Sequence, residues 1–239
     1  MDWTDDLERR VSGIAALDQP IRRELYRLLS ARDGWTSRDE AAEALALPRS
    51  VAAFHLDKLV EAQVAEVRFE RAQGRTGPGA GRPSKLYRRS AVEVAASVPP
   101  RHYDLAGELL AAAIAESTRT GAPITDCLST TARARGRTVG EDALALAGPL
   151  PKGAPWRRAF VAVLARYGYE PEMAKGTGIE LVNCPFHRLA DSYRELVCGM
   201  NLDFLTGVLE GMGGADRLSA KLEPQPGHCC VRFGGRKDS

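Results

Sequence analysis

Apolar residues recur at helical spacing through the first sixty positions. Leu7, Val11, Ile14 and Leu17 mark a first helix over 7–17, and Ile21, Leu25, Leu28 and Leu29 a second. Pro20 falls in the first turn of that second helix, where its missing N–H costs nothing, and Asp33-Gly34 ends it. Ser37 followed by Glu40 forms a capping box, which predicts a short third helix through Ala41, Leu45 and Leu47. Pro48 interrupts, and Arg49-Ser50 opens a fourth helix with Val51, Phe54, Leu56, Leu59 and Val60 as its apolar positions. The period then changes to alternation. Val64 to Phe69 reads as a strand and Lys85 to Arg88 as its return, around a glycine- and proline-rich loop over 73–84.

Two short helices joined by a tight turn, the second opening on small polar and basic residues, follow the helix-turn-helix pattern, and the hairpin adds a wing. Residues 95–103, with Val98-Pro99-Pro100, read as a linker. An alanine-rich helix over 104–117 and a polar helix over 124–146 come next, before a break with three prolines in 148–155. Beyond it lie a helix over 156–167, a strand pair over 172–175 and 178–183, a long helix over 189–211, and strands over 218–222 and 229–233. The fold class expected is α+β. A winged helix-turn-helix domain occupies 1–92, a helical linker and dimerisation region 93–150, and an α+β cysteine-containing sensor domain 151–239.

Hydrophobic residues make up 44% of the 239 residues, enough for real cores. The net charge of +2 does not announce a nucleic-acid partner, so any basic footprint must be local. It is: residues 71–89 hold Arg71, Arg75, Arg82, Lys85, Arg88 and Arg89 and no acidic side chain. Arg75, Arg82 and Lys85 on the wing are placed to reach phosphates or the minor groove. On the fourth helix Arg49, Ser50, Ala52, His55 and Lys58 are the candidates for the exposed, DNA-facing side, with Arg49 and Ser50 at the entry end and Lys58 on phosphate. The plainer alternative is a solvated linker beside an ordinary core helix. No apolar run approaches the ~20 residues of a membrane span, and the acidic first ten residues lack a secretory pattern. A cytoplasmic protein without a membrane partner is expected.

The segment Ser50 to Val60, with its His55-Leu56-x-x-Leu59, together with Gly81-Arg82-Pro83-Ser84-Lys85-Leu86-Tyr87, resembles the winged-helix regulators of the arsenic-repressor superfamily over roughly residues 15–90. The resemblance implies a double-stranded DNA operator. One winged helix contacts too few base pairs for specificity, so a homodimer on paired half-sites is expected, with the alanine-rich helix as its contact.

Four of the five cysteines fall in the last quarter of the chain, and in a reducing compartment a disulfide framework is not expected. Cys184, in Asn183-Cys184-Pro185-Phe186-His187, lies at a strand end. Cys198 follows after thirteen residues on the long helix, and His228-Cys229-Cys230 enters the last strand thirty residues later. If the helix packs over the sheet, Cys184, Cys198 and Cys229 or Cys230 converge, with His187 and His228 close by. Such a site suits an iron–sulfur cluster or a tetrahedral zinc ion, and Cys184-x-x-His187 has the spacing of half a zinc site. Widely separated single cysteines are more typical of a cluster. The alternative is that these thiols are small buried hydrophobes; on a strand only one of Cys229 and Cys230 would point inward. Cys127 is expected to be packing or surface. Cys184 and His187 lack a third orienting group, so no enzyme is expected.

A winged helix followed by helices and a C-terminal Cys…Cys…Cys domain resembles the Suf-operon repressor family. That resemblance implies a [4Fe–4S] cluster, a homodimer, and repression of cluster-assembly genes by the cluster-bound form. It lands on Cys184, Cys198 and Cys229, with His187, His228 or Cys230 as the fourth ligand. A zinc-containing regulator, or one answering an organic effector without metal, is the alternative.

Overall fold

The computed structural model describes residues 3–70, 83–148, 153–174 and 178–235. They form two compact units, 1–96 and 97–239. In the first, α1 (Trp3–Ala16) and α2 (Pro20–Ala31) precede β1 (Thr36–Ser37), α3 (Arg38–Ala44), α4 (Arg49–Glu61), β2 (Ala65–Glu70) and β3 (Ser84–Arg89). Local chemistry sets the helix starts. The Gln19 side chain accepts from the Arg22 N–H at 2.7 Å, with Pro20 in the first turn. At α3 the Ser37 hydroxyl accepts from the Glu40 N–H and the Glu40 carboxylate accepts from the Ser37 N–H, the reciprocal pair the sequence indicates.

The third helix is shorter than its apolar pattern suggests. It ends at Ala44, and Ala46 takes φ +50°, a left-handed turn that leads through Pro48 into α4. Leu25, Leu29, Ala41, Leu56, Leu59, Val64, Ala65 and Tyr87 make the core. The sheet has the order β1-β3-β2, all antiparallel, with Ala65 opposite Arg89 and Glu70 opposite Ser84. The tip of the hairpin, with Arg75 and Arg82, lies outside the described residues.

In the second unit, α5 (Tyr103–Thr120), α6 (Ile124–Ala147) and α7 (Ala154–Arg166) are followed by β4 (Pro171–Met173), β5 (Ile179–Leu181), α8 (His187–Ser192), α9 (Arg194–Gly211), β6 (Leu218–Leu222) and β7 (Val231–Gly235). The antiparallel sheet runs β4-β5-β7-β6. The helices of 93–150 do not stand apart: Leu105, Leu109, Leu128 and Ala132 share one core with Phe160, Phe204 and Phe233. The long helix expected over 189–211 is two helices, broken at Tyr193, whose φ/ψ of −134°/50° is not helical.

Helix α9 is buried on nearly every side, as a helix packed by neighbours all round must be. Against α6 the contact is made by backbone. A Cβ on Gly207 would sit 2.0 Å from the Arg133 carbonyl oxygen, and one on Gly136 2.0 Å from that of Phe204. Gly211 and Gly140 stand one turn further along, against Arg137 and Val208. Glu210 of α9 accepts from both Arg133 and Arg137 of α6. Those guanidinium groups, Arg133 first, hold the Glu210 carboxyl down to about 2.

Candidate functional site

Helix α4 presents two opposite faces. Ala52, Leu56 and Leu59 are fully buried and fix one side against α2 and the sheet. Ala52 therefore cannot be on the exposed side where the sequence reading placed it; its methyl group is core. Arg49 and Ser50 are exposed at the start of the helix, as expected. Arg49 donates to the Asp39 carboxylate.

His55 is half-buried. Its Nδ1 is enclosed and has no hydrogen-bond partner, and burial, with Arg22 nearby, holds its pKa below the ordinary value. It is thus mainly a packing residue, set edge-on against Phe54 at 5.1 Å. Lys58 donates to Glu61 at 2.6 Å. Phe54, one of the apolar positions of this helix, is 57% exposed.

The hairpin is fastened to α4 by Asp57. Its carboxylate accepts from Lys85 Nζ at 2.8 Å on both oxygens and from the Tyr87 hydroxyl at 2.8 Å. Tyr87 is fully buried, and burial, followed by the Asp57 contact, raises its pKa. Lys85 is thus engaged inside the domain. The guanidinium groups of Arg68 and Arg88 lie over the Trp35 ring, at 4.6 and 4.7 Å from its centroid, and these in turn pair with Glu70 and Glu66. Cation–aromatic contacts of this kind join the residue before β1 to the paired strands β2 and β3.

In the second unit four thiols meet. Cys184 follows β5, Cys198 sits in the first half of α9, and Cys229 and Cys230 occupy the turn before β7, which begins at Val231 rather than at Cys229. The sulfurs form a chain of contacts, Cys184 to Cys229, Cys229 to Cys230, and Cys230 to Cys198. Backbone bonds hold the turn in place: Cys229 N–H donates to the Leu181 carbonyl at 2.8 Å and Glu223 N–H to that of Cys230 at 2.9 Å. Arg101 donates to the Cys184 carbonyl at 3.1 Å and to the Asn183 side chain, fixing the loop that carries Cys184.

All four are free thiols and buried. The Cys184 thiol is pushed up by its contact with Cys229 and by burial, and the Cys198 thiol chiefly by burial. At Cys229 the contact with Cys184 pulls down, but Cys230 and burial outweigh it and leave the thiol at about 12. Cys127 is a buried packing residue on α6.

A cavity of about 490 Å³ adjoins the thiols. Cys184, Cys198 and Cys230 line it, with His187, Asp191, Arg194 and His228. Cys229 sits behind them, 3% exposed, and the fully buried Asn201 of α9 donates to its sulfur at 3.2 Å. Sequence reading missed Asn201, whose signal was a polar side chain inside an apolar helix. Among the described residues no three His, Cys, Asp or Glu side chains are arranged as a single-ion site. The donor set itself, four soft sulfurs from three separate segments beside an open space, fits a sulfur-ligated metal centre in chemical type.

Among the described residues no helix is long and apolar enough to cross a membrane. Comparison with the curated proteins and with the solved structures gives no match. A family model described as a helix-turn-helix domain matches residues 17–68, from the turn after α1 into β2. With the α3–α4 pair and the β2–β3 hairpin, that match gives the N-terminal unit the architecture of a winged helix-turn-helix domain of a DNA-binding transcription regulator.

Proposed function

We propose that this chain is a cytoplasmic, homodimeric repressor whose hold on its operator depends on an iron–sulfur cluster, of the [4Fe–4S] kind, ligated by Cys184, Cys198, Cys229 and Cys230. The carrying observation is the gathering of four thiols from three segments beside a cavity, in a chain with a helix-turn-helix domain. The cluster would supply a group that oxidants destroy. Ligation requires the four sulfurs as thiolates, so loading releases protons and replaces the S–H···S contacts.

The chain's own part is mechanical. With the four sulfurs tied to one centre, the end of β5, helix α9 and the turn before β7 are held at a single point. Without it, they depend on core packing and thiol contacts alone. A difference of a few kcal/mol in DNA preference between these states suffices for a switch. The reading is of a sensor, not an enzyme.

Anaerobic purification of the full chain with iron, sulfide and visible-absorption analysis tests it. Broad visible absorption that disappears in Cys184→Ser, Cys198→Ser and Cys230→Ser, each with shifted affinity for DNA, is expected; Cys127→Ser should change neither. Wild-type iron content in all three variants, or loss of iron without a change in DNA affinity, overturns the reading. A zinc centre is the second reading, favoured by His187 lining the same cavity as Cys184. Colourless protein with stoichiometric zinc decides for it.

A further inference from the structure

At about 100° per residue, Phe54 stands about 200° round α4 from Ala52, diametrically across from the Ala52–Leu56–Leu59 core face. The side chain is 57% exposed, in a helix whose other large apolar residues are wholly or partly buried. Ser50, Phe54 and Lys58 follow one another at intervals of four, so they form one line along the outward face of the helix. The ring is held from two sides, by the His55 imidazole edge-on at 5.1 Å and by Lys58 Nζ at 5.9 Å from its centroid. An aromatic side chain in this position does nothing for the core, and leaving it in water is unfavourable.

We infer that Phe54 is a specificity-determining residue that reads the C5-methyl group of a thymine in the major groove. The inference rests on the reading of α4 as the helix that enters DNA. In that groove the thymine methyl is the apolar feature among donors and acceptors, and it distinguishes T from C. The flanking side chains fit the same surface: Ser50 precedes Phe54 by one turn as a small hydrogen-bonding group, and Lys58 follows by one turn as a cation for phosphate. The Phe54 ring therefore selects for thymine at one position of each half-site.

The test begins with a duplex enriched from a randomised pool by the wild-type full chain. Each thymine in it is replaced singly by deoxyuridine, which removes only the methyl group. Wild-type protein is expected to bind one substituted position per half-site about fourfold more weakly for the methyl removed. Phe54→Ala should bind the parent duplex more weakly, bind random-sequence DNA as well as wild type does, and lose its sensitivity to that substitution. Because Phe54 is not in the core, its unfolding midpoint should be unchanged. Equal binding of all deoxyuridine duplexes by the wild type, enrichment of no thymine-containing site, or a Phe54→Ala variant that keeps the sensitivity overturns the inference alone. So does a Phe54→Ala effect confined to the oligomeric state, which would make the ring a contact between copies. Failure of the wild type to bind any duplex DNA overturns the DNA-binding reading and this inference with it.

Discussion

Asn201 joins Tyr169 to Cys229. Its Oδ1 accepts from the Tyr169 hydroxyl at 2.6 Å, and its Nδ2 donates to Cys229 Sγ at 3.2 Å, with no part of the Asn201 or Tyr169 side chains in contact with water. A buried amide keeps its place only because both of its ends are bonded. Asn201→Leu leaves the Tyr169 hydroxyl stranded in the core and should destabilise the C-terminal unit by about 2 kcal/mol. Tyr169→Phe removes the hydroxyl itself and should cost less, and the double substitution should cost less than the sum. Urea unfolding of the four proteins measures this cycle. Additive single effects would mean that the amide and the hydroxyl act independently.

The parts of the fold governed by near neighbours were legible in the sequence. Ser37 and Glu40 announced α3, Pro20 opened α2, and the change from helical spacing to alternation marked the hairpin. Where a conformation is not encoded by residue type, the reading fell short. Ala46 turns left-handed and Tyr193 breaks the α8–α9 run, and neither position carries a glycine or proline to signal it. Phe54 is not among the residues expected on the exposed side of α4, yet the phase of the buried Ala52, Leu56 and Leu59 puts it there. The cysteines converged as their spacing suggested. Cys230 lines the cavity and Cys229 lies behind it, both in the turn before β7, which begins only at Val231. The path of that turn is not announced by any local pattern.

The wing should supply affinity without selectivity. Replacing Arg75 and Arg82 by alanine is expected to weaken binding to all duplexes alike. It should also reduce the slope of log K against log salt by about two, near one counterion for each phosphate no longer neutralised. Titrations at several salt concentrations measure it, and an unchanged slope would remove the wing from the interface.

Gly207→Ala sets two effects against each other. Alanine gains up to about 1 kcal/mol of helix propensity. Its methyl group, however, would lie 2.0 Å from the Arg133 carbonyl oxygen, and neither backbone can yield without parting α6 from α9. Overpacking of this kind costs about 1–3 kcal/mol or more, so net destabilisation is expected. Gly107→Ala is the control: a methyl group there meets nothing within 4 Å, and the melting temperature should stay level or rise.

Glu210 confers a pH dependence of known sign. Its carboxyl titrates near 2 in the folded chain against 4.5 ordinarily. The folded state therefore favours the ionised form, and the stabilisation is complete above about 4.5 and disappears as the pH falls towards 2. Glu210→Gln should cost about 1 kcal/mol at pH 7, a small figure because Arg133 and Arg137 are half-exposed. The gap between variant and wild type should close on acidification. A gap that persists at pH 2 would assign the loss to packing instead.

The glycine-lined contact of α6 with α9 also limits how the thiol cluster can move. Gly136 and Gly140, like Gly207 and Gly211, are one turn apart, and each accommodates a carbonyl of the opposite helix. Sliding α9 by a fraction of a turn would drive side chains into those carbonyls. A slide of four residues, about 6 Å, would bring one glycine to a contact point but Asp203 or Ala215 to the other, so it does not fit either. Helix α9 thus sits in a notch, and Cys198 is a fixed post. Any adjustment of the four sulfurs to one another falls to the far side of the cavity, where the turn of Cys229 and Cys230 is tied by single backbone bonds to Leu181 and Glu223.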